Sequence, residues 1–317
     1  MQGKLVTVFG ASGFIGRNIV RELAQRGVRV NAVCRDVEKA KFLKPMGVVG
    51  QVTPMRADVT DATAIARAVN GASAVINLVG ILHQSGRNTF DAVQATAPGV
   101  IAKAAKDAGA QAMVQISAIG ADANSSSKYA RSKAQGEDAV RAAFPEATIL
   151  RPSIVFGAND SFFNRFAALA QISPVLPLIG GGETKFQPVY VDNVADAVIA
   201  ALESPAAQGQ TYELGGPTVY SFKALMEMVL QETNRKAKLV SLPFWAASIQ
   251  AGVMELLPSP MLTRDQVELL KSDNVVATDA KTLADLGVKA TPVEVIVPTY
   301  LDKFRPGGRY STGRQPA

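Results

Sequence analysis

Three glycines at fixed spacing, Gly10, Gly13 and Gly16, stand between an apolar run and an amphipathic run, and they limit the fold more than any other feature of the chain. Residues 4–9, KLVTVF, read as a short buried strand. Arg17 to Gly27 reads as an amphipathic helix that closes on a glycine. A strand that turns through glycines into a helix offers free backbone N–H groups and the positive end of a helix dipole, which together favour an anion. Gly10 permits the tight turn, Gly13 lets the backbone approach a pyrophosphate, and Gly16 lets helix and strand pack closely. With Ser12, Phe14 and Ile15 between them, these residues predict a dinucleotide-binding loop.

The pattern beyond the loop supports that reading. Strands are expected at 28–33, 51–56, 74–79, 112–117 and 147–150, with helices at 60–69, 90–108 and 127–143. Such alternation predicts a Rossmann-type, doubly wound parallel α/β sheet with right-handed crossovers. After Arg151-Pro152 the rhythm breaks, and prolines and glycines cluster at 174–188. The expected organisation is a dinucleotide-binding domain over 1–150, with a contribution from 186–216 that includes a strand near 211–214. A smaller, mostly helical C-terminal lobe over 151–305 is interleaved with it, and a flexible tail covers 306–317.

The ends of the strands nominate the rest of the site. An acid at the end of the second strand suits NAD, whereas an arginine suits the 2′-phosphate of NADP. Here the strand ends Val33-Cys34-Arg35-Asp36. Arg35 is read as the partner of a 2′-phosphate, with Asp36 as the competing NAD-type acid, and the balance favours NADPH. Asp58 and Val59 would flank the adenine; Leu78, Val79 and Gly80 would pass along the ribose and pyrophosphate; Pro152 completes the cofactor-binding set. Ser117 ends the fifth strand, and Tyr129 and Lys133 follow as a Tyr-x-x-x-Lys pair on one helix face. In such a trio lysine holds the nicotinamide ribose and lowers the tyrosine pKa, tyrosine exchanges a proton with a carbonyl, and serine orients the carbonyl oxygen.

These residues bring the chain close to a known group. Gly10 to Gly16 with Ser117, Tyr129 and Lys133 resembles the extended and atypical short-chain dehydrogenase/reductase superfamily. The resemblance narrows to the NADPH-binding accessory subunits of respiratory complex I. It is carried by Val8-Phe-Gly-Ala-Ser-Gly-Phe-Ile-Gly-Arg17, Ser125-Ser-Ser-Lys-Tyr-Ala-Arg-Ser-Lys-Ala-Gln-Gly-Glu137, Val140 to Ala147, Arg151-Pro-Ser-Ile-Val-Phe-Gly157, Gln187-Pro-Val-Tyr-Val191 and Leu262-Thr-Arg-Asp-Gln-Val267. The blocks span almost the whole chain, and the triple serine before Tyr129 is the most specific. The resemblance implies NADPH as a structural cofactor that stabilises the arm junction near the quinone site. It also implies that Ser117, Tyr129 and Lys133 can persist as ribose contacts without independent turnover. The chain lacks the long N-terminal extension of mitochondrial forms, which points to a bacterial homologue.

Bulk properties bound the remaining choices. Among 317 residues, 48% are hydrophobic and 19% charged, which argues against disorder. A pI near 9.4 and a net charge of +6 suit a nucleotide, an acidic partner or an anionic membrane surface. The basic residues are dispersed, so nucleic acid is not an expected partner. One cysteine, Cys34, and one histidine, His83, leave no internal disulfide, and no metal site is expected unless carboxylates supply it. A strand starting almost at the N-terminus leaves no room for a signal peptide, and no apolar run reaches the roughly 20 residues of a membrane span.

The second half contains one unusual window, LVSLPFWAASIQAGVMELLPSPML over 239–262, in which Glu255 is the only charge. A buried helix of the second lobe and a helix facing a partner or the membrane interface are equally compatible with it. The single tryptophan, Trp245, and the basic flanks Arg235, Lys236, Lys238 and Arg264 suit an interface. Tyr190 is expected to pin the second lobe, and Asp192-Asn193 to cap a helix. The expected protein is therefore peripheral, on the cytoplasmic face of a bacterial inner membrane, with the 242–257 segment meeting complex I core subunits and lipid headgroups. The alternative is a free NADPH-dependent reductase or epimerase acting on a small carbonyl or a nucleotide-sugar. That enzyme would be an NADP-dependent oxidoreductase of the short-chain dehydrogenase type. A nucleotide-sugar site would need arginines for a diphosphate, and the second half offers few beyond Arg165 and Arg235.

Overall fold

A computed structural model of the chain describes residues 1–258 and 260–308; the expected tail lies, from residue 309 on, outside the described residues. The chain divides into two compact units. The first comprises Met1–Pro152, Val191–Leu214 and Val276–Lys289. The second comprises Ser153–Tyr190, Gly215–Val275 and the residues from Ala290 on.

The first unit is built on a seven-stranded sheet. Its strands are β1 (Leu5–Phe9), β2 (Arg29–Cys34), β3 (Val52–Arg56), β4 (Ala74–Asn77), β5 (Ala112–Ile116), β6 (Thr148–Pro152) and the Thr211–Leu214 strand. The spatial order is Thr211–Leu214, β6, β5, β4, β1, β2, β3, with every neighbour parallel. Val6, Val8 and Phe9 of β1 are fully buried, as a strand covered on both faces requires. The strand order reverses direction between β1 and β4, and α/β sheets hold ligands in the crevice at such a switch point. The loops after these two strands therefore decide the site.

Four helices of this unit matter for the site: α1 (Phe14–Gln25), α2 (Ala62–Val69), α3 (Ala97–Asp107) and α4 (Lys128–Ala143). Helix α1 begins at Phe14, earlier than the expected Arg17, because Gly13 already serves as its extended N-cap. Asp61 caps α2, accepting from the N–H groups of Thr63 and Ala64. Ser127 caps α4 in the same way through the N–H of Ala130.

The single long helix expected over 90–108 is interrupted: Asp91–Thr96 forms a π-helical turn before α3. Pro98 has no N–H to return to the Gln94 carbonyl, so the α ladder fails there. A Cβ at Gly136 of α4 would run into that carbonyl, so only glycine lets α4 pack on the π turn.

Two further expectations are corrected in this unit. Asp192 and Asn193 lie inside the Val191–Glu203 helix, not ahead of it. Asp192 accepts a 2.6 Å hydrogen bond from Arg21. Residues 276–289, expected in the C-terminal lobe, belong to the first unit. There the Glu213 N–H donates to the Lys281 carbonyl at 2.8 Å and Lys281 bridges to Tyr212.

The second unit is less purely helical than expected. It holds three two-stranded ladders: Val175–Ile179 with Lys238–Leu242, Lys185–Phe186 with Tyr220–Ser221, and Val155–Phe156 with Val189–Tyr190. Its helices include Phe163–Ile172, Phe222–Thr233 and Phe244–Met254. Phe156, Phe163, Phe186 and Phe222 form its aromatic core, and Tyr190 packs on Phe156 with ring centroids 5.6 Å apart. The 239–262 window resolves into the end of a strand, one helix and a loop.

Candidate dinucleotide site

The glycine loop has the geometry its spacing implies. Gly10 sits at φ +81°, where a side chain would be strained, and a Cβ there would contact Leu78 at 3.4 Å. A Cβ at Gly16 would strike the Gly10 carbonyl and lie 2.8 Å from Ala11. Gly13 differs: it is exposed, and an added Cβ would meet only the Gly10 carbonyl, at 3.2 Å. Packing inside the protein thus forbids a side chain at Gly16 more strictly than at Gly13. Gly10 and Ala11 both donate to the Val33 carbonyl, at 3.1 and 3.2 Å, which ties the loop to the end of β2. Ser12, Phe14 and Ile15 are half-buried around the first turn of α1.

The loop after β4 forms the opposite side of the switch point. Asn77 is fully buried and donates to Gln115 at 2.8 Å, while its Oδ1 accepts from the Val79 N–H at 3.1 Å. That pair fixes the Leu78–Gly80 turn. A Cβ on Gly80 would lie 3.2 Å from Lys133 Nζ and 3.6 Å from Gln94 Oε1, so this turn reaches the Tyr-x-x-x-Lys helix. Val79 and Val59 both pack on the sheet's apolar core, and Pro152 accepts from the Ile119 N–H at 3.1 Å.

Ser117 and Lys133 are buried, and Tyr129 is half-buried beside them. Ser117 is 4% exposed, and its Oγ is enclosed without a hydrogen-bond partner, an unsatisfied group that folded proteins rarely keep without a use. Lys133 is 7% exposed, with Nζ 3.5 Å from the Ile116 carbonyl. Burial pushes its pKa down to about 8, against a weaker upward pull from Glu137. Burial pushes Tyr129 up to about 12. The expected lowering of the tyrosine pKa by lysine is not realised. Lys133 Nζ stands 5.8 Å from the centre of the Tyr129 ring, over its face, and desolvation of the phenolate dominates. Phe90 packs edge-on against Tyr129 with centroids 6.1 Å apart.

Glu137, one turn beyond Lys133, is buried and clamped by Arg151 of β6 through two bonds of 2.9 and 2.8 Å. This bidentate pair fixes α4 to the sheet. Gln94, on the π turn, is a residue the sequence reading missed. It is 1% exposed, accepts from the Ile81 N–H at 2.6 Å and donates to Ser132 at 3.0 Å. Pro98, four residues on, was the available signal that something local happens there.

The adenosine end is more open. Arg35 is exposed, with no carboxylate at ion-pair distance among the described residues. Asp36, the competing acid, accepts from the Lys39 N–H at 3.1 Å and pairs with its ammonium at 3.7 Å. Asp58 is also exposed; Thr60 holds its carboxylate through N–H and hydroxyl bonds of 3.0 and 2.8 Å, and these lower its pKa. His83 is half-buried in the loop after β4. Among the described residues no group of His, Cys, Asp and Glu could hold a metal ion, and Cys34 is buried.

A nicotinamide dinucleotide fits this set of groups: a glycine turn at the switch point, an unpartnered buried hydroxyl, and a buried lysine beside Gly80. Gly10, Gly13 and Gly16 would hold the pyrophosphate, and Lys133 and Tyr129 the ribose. When bound, the nicotinamide supplies a hydride donor or acceptor.

A profile of the NAD dependent epimerase/dehydratase family matches residues 6–215. The mitochondrial NADH dehydrogenase (ubiquinone) 1 alpha subcomplex subunit 9 of Arabidopsis thaliana is 37% identical over 97% of this chain and 80% of its own length. A ceramide reductase of Caulobacter vibrioides is 30% identical over 75% of this chain and 74% of its own length. Among solved structures, a dTDP-glucose 4,6-dehydratase of Streptomyces venezuelae with NAD bound superimposes with a TM-score of 0.70 over 94% of this chain and 95% of its own, at 17% identity. That likeness shows the fold.

Proposed function

We propose, from the chain's membership of the NAD dependent epimerase/dehydratase family and of the alpha subcomplex subunit 9 family within it, that this protein is an accessory subunit of respiratory complex I holding NADP(H) as a structural cofactor. One observation carries the reading. The similarity to the Arabidopsis subunit covers 97% of the chain, so it takes in the second unit as well as the dinucleotide half. NADP(H) is favoured over NAD(H) because Arg35 has no carboxylate at ion-pair distance among the described residues, Asp58 acting on it only at longer range, while Asp36 is engaged in its own turn.

The second unit supplies the surface for assembly. On the Phe244–Met254 helix, Ala247 and Ala251 are buried, whereas Trp245, Ile249 and Val253 are 70%, 64% and 65% exposed. Their spacing of four puts them in one stripe, which Leu256 and Leu257 extend. Glu255, the only charge of the window, is neutralised by Arg264 at 2.9 Å. The buried-helix reading of this window does not survive that exposure, and contiguous apolar surface marks an interaction site. The stripe docks on core subunits near the arm junction, with Lys236, Lys238 and Arg264 toward anionic headgroups. The protein lies on the cytoplasmic face of a bacterial inner membrane. No helix among the described residues is long and apolar enough to cross a membrane.

The test is to purify the protein from native membranes, identify the nucleotide released on denaturation, and identify what co-purifies. Complex I subunits and NADP(H) are the expected result. A second reading, a reductase of an apolar carbonyl compound, is favoured by the unpartnered Ser117 hydroxyl in an intact Ser117, Tyr129 and Lys133 set and by the ceramide reductase relative. NADPH consumption on a ketone that vanishes in Tyr129→Phe would establish it.

A further inference from the structure

Arg17 follows Gly16 in the first turn of α1, and its guanidinium folds back over the glycine loop. Nε donates to the Gly13 carbonyl and one terminal nitrogen to the Ser12 carbonyl, each at 3.3 Å. The carbon of the guanidinium lies 4.8 Å from the centre of the Phe42 ring. Phe42 belongs to the 3₁₀ turn Lys41–Met46 that follows β2, and it is 39% exposed. Ser12 is next to Ala11, whose N–H bonds the Val33 carbonyl, two residues before Arg35. The loop therefore carries Arg17 to the same strand end that presents Arg35.

The electrostatics of this corner are one-sided. No carboxylate of the described residues lies at ion-pair distance from Arg17 or Arg35. Of the nearby acids, Asp36 is paired with Lys39, and Asp58 is held by Thr60 and stays ionised, coupled to Arg35 beyond ion-pair distance. Two carbonyls and a ring face hold the Arg17 plane in place while leaving its second terminal nitrogen without an acceptor among the described residues. A guanidinium fixed in this way loses little further freedom on meeting an anion, and its fork matches phosphate oxygens. An aromatic shelf under an arginine contributes through the ring quadrupole, most strongly where solvent is partly excluded.

We propose that Arg17 is a second specificity-determining residue for the adenosine 2′-phosphate, acting with Arg35, and that Phe42 is the positioning residue that seats it. The proposal rests on the reading that this site holds NADP(H). Arg17 then serves two ends of one loop: its carbonyl bonds stiffen the Ser12–Gly13 turn, and its free edge discriminates a phosphate from a hydroxyl.

The experiment uses the full chain and measures dissociation constants for NADPH, NADH, 2′,5′-ADP and 5′-AMP in wild type, Arg17→Gln, Arg17→Lys, Phe42→Leu and Arg35→Ala. Arg17→Gln is expected to weaken NADPH and 2′,5′-ADP by about ten-fold or more and NADH and 5′-AMP by less than about two-fold, because a charge-assisted bond to phosphate is lost. Phe42→Leu should shift the same ratio by about three-fold, and Arg17→Lys should recover part of the loss. If Arg17→Gln does not fold, the ratio in Phe42→Leu decides. Equal losses for the phosphorylated and unphosphorylated ligands, with wild type preferring NADPH, would make Arg17 a loop staple and overturn the proposal alone. A wild type that binds NADH as well as NADPH would overturn the underlying NADP(H) reading, and the proposal with it.

Discussion

The glycine loop with its lysine helix and the Phe244–Met254 helix are two regions where this chain departs from ordinary packing, and they depart in opposite directions. Around the first, polar groups are withdrawn from water: Ser117, Lys133, Gln94 and Asn77 are all buried. Around the second, apolar groups are left in water: Trp245, Ile249, Val253 and Leu256 are more than half exposed. Burying a polar group without a partner and exposing an apolar one both cost free energy; Asn77, Gln94 and Lys133 are hydrogen-bonded within the protein, so it is the Ser117 hydroxyl that a ligand would satisfy, as a partner would cover the exposed stripe. A ligand that brings hydroxyls and phosphates answers the first, and a surface that brings apolar area answers the second. On the proposed reading, cofactor and partner would be bound by separate parts of the chain, and either could be removed without the other.

The largest expected effects break the first region. Gly16→Val should not yield folded protein, since its side chain would enter the Gly10 and Ala11 backbone. Gly13→Val should fold, because relief of one contact suffices, but nucleotide binding should drop at least about 100-fold as the side chain fills the pyrophosphate approach. Calorimetric titration with NADPH checks both, and unchanged affinity in Gly13→Val would remove the case for this loop.

Next in size is Lys133. Lys133→Ala should weaken the dinucleotide about ten-fold through lost ribose contacts, with no change in the nicotinamide-free regions of the chain. Its protonation also predicts a pH dependence. The folded pKa, about 8, lies below the ordinary lysine value of 10.5, so between these values the unfolded chain binds more protons than the folded one. Stability of the nucleotide-free protein therefore rises with pH from about 8 toward 10, where Tyr129, raised to about 12, begins to act in the opposite sense. Lys133→Met should be the more stable protein at pH 7, by at most on the order of 3 kcal/mol, and its advantage should shrink by pH 10. Denaturant unfolding at several pH values measures this, and a constant difference would mean that Lys133 is solvated in the folded state.

The smallest effect expected is that of Tyr129→Phe. In a structural subunit it should alter NADPH affinity by less than about two-fold, since on the proposed reading the phenol would be one ribose contact among several. Retention of bound NADPH after gel filtration checks it; a loss comparable to Lys133→Ala would assign the phenol the main ribose contact.

Much of the first region was legible in sequence, because its constraints are local. Gly10 and Gly16 are dictated by backbone approach within a few residues, and the strand ends follow from apolar runs in a parallel sheet. What escaped was non-local. Gln94 acts through a π turn set by Pro98 and by a glycine on another helix, and periodicity assigned the stretch to a regular helix. The reach of Arg17 onto Phe42 and the placing of 276–289 beside the Thr211–Leu214 strand depend on residues far apart in the chain. The second region was legible only as apolar. Which face of the 244–254 helix meets water depends on Ile179, Val267 and Leu270 beneath it, and the helix's own sequence does not contain that information.

The claim that cofactor and partner surfaces are separable has a direct measurement. Trp245→Glu with Val253→Glu, made in the native host, is followed by native electrophoresis of solubilised membranes and nucleotide analysis of each band. The account expects the wild type to migrate with complex I and the double variant to run free, with NADP(H) still bound and the thermal midpoint unchanged. It is contradicted if the double variant still migrates with complex I, if it loses its nucleotide on release, or if the wild type itself runs free while complex I lacks it.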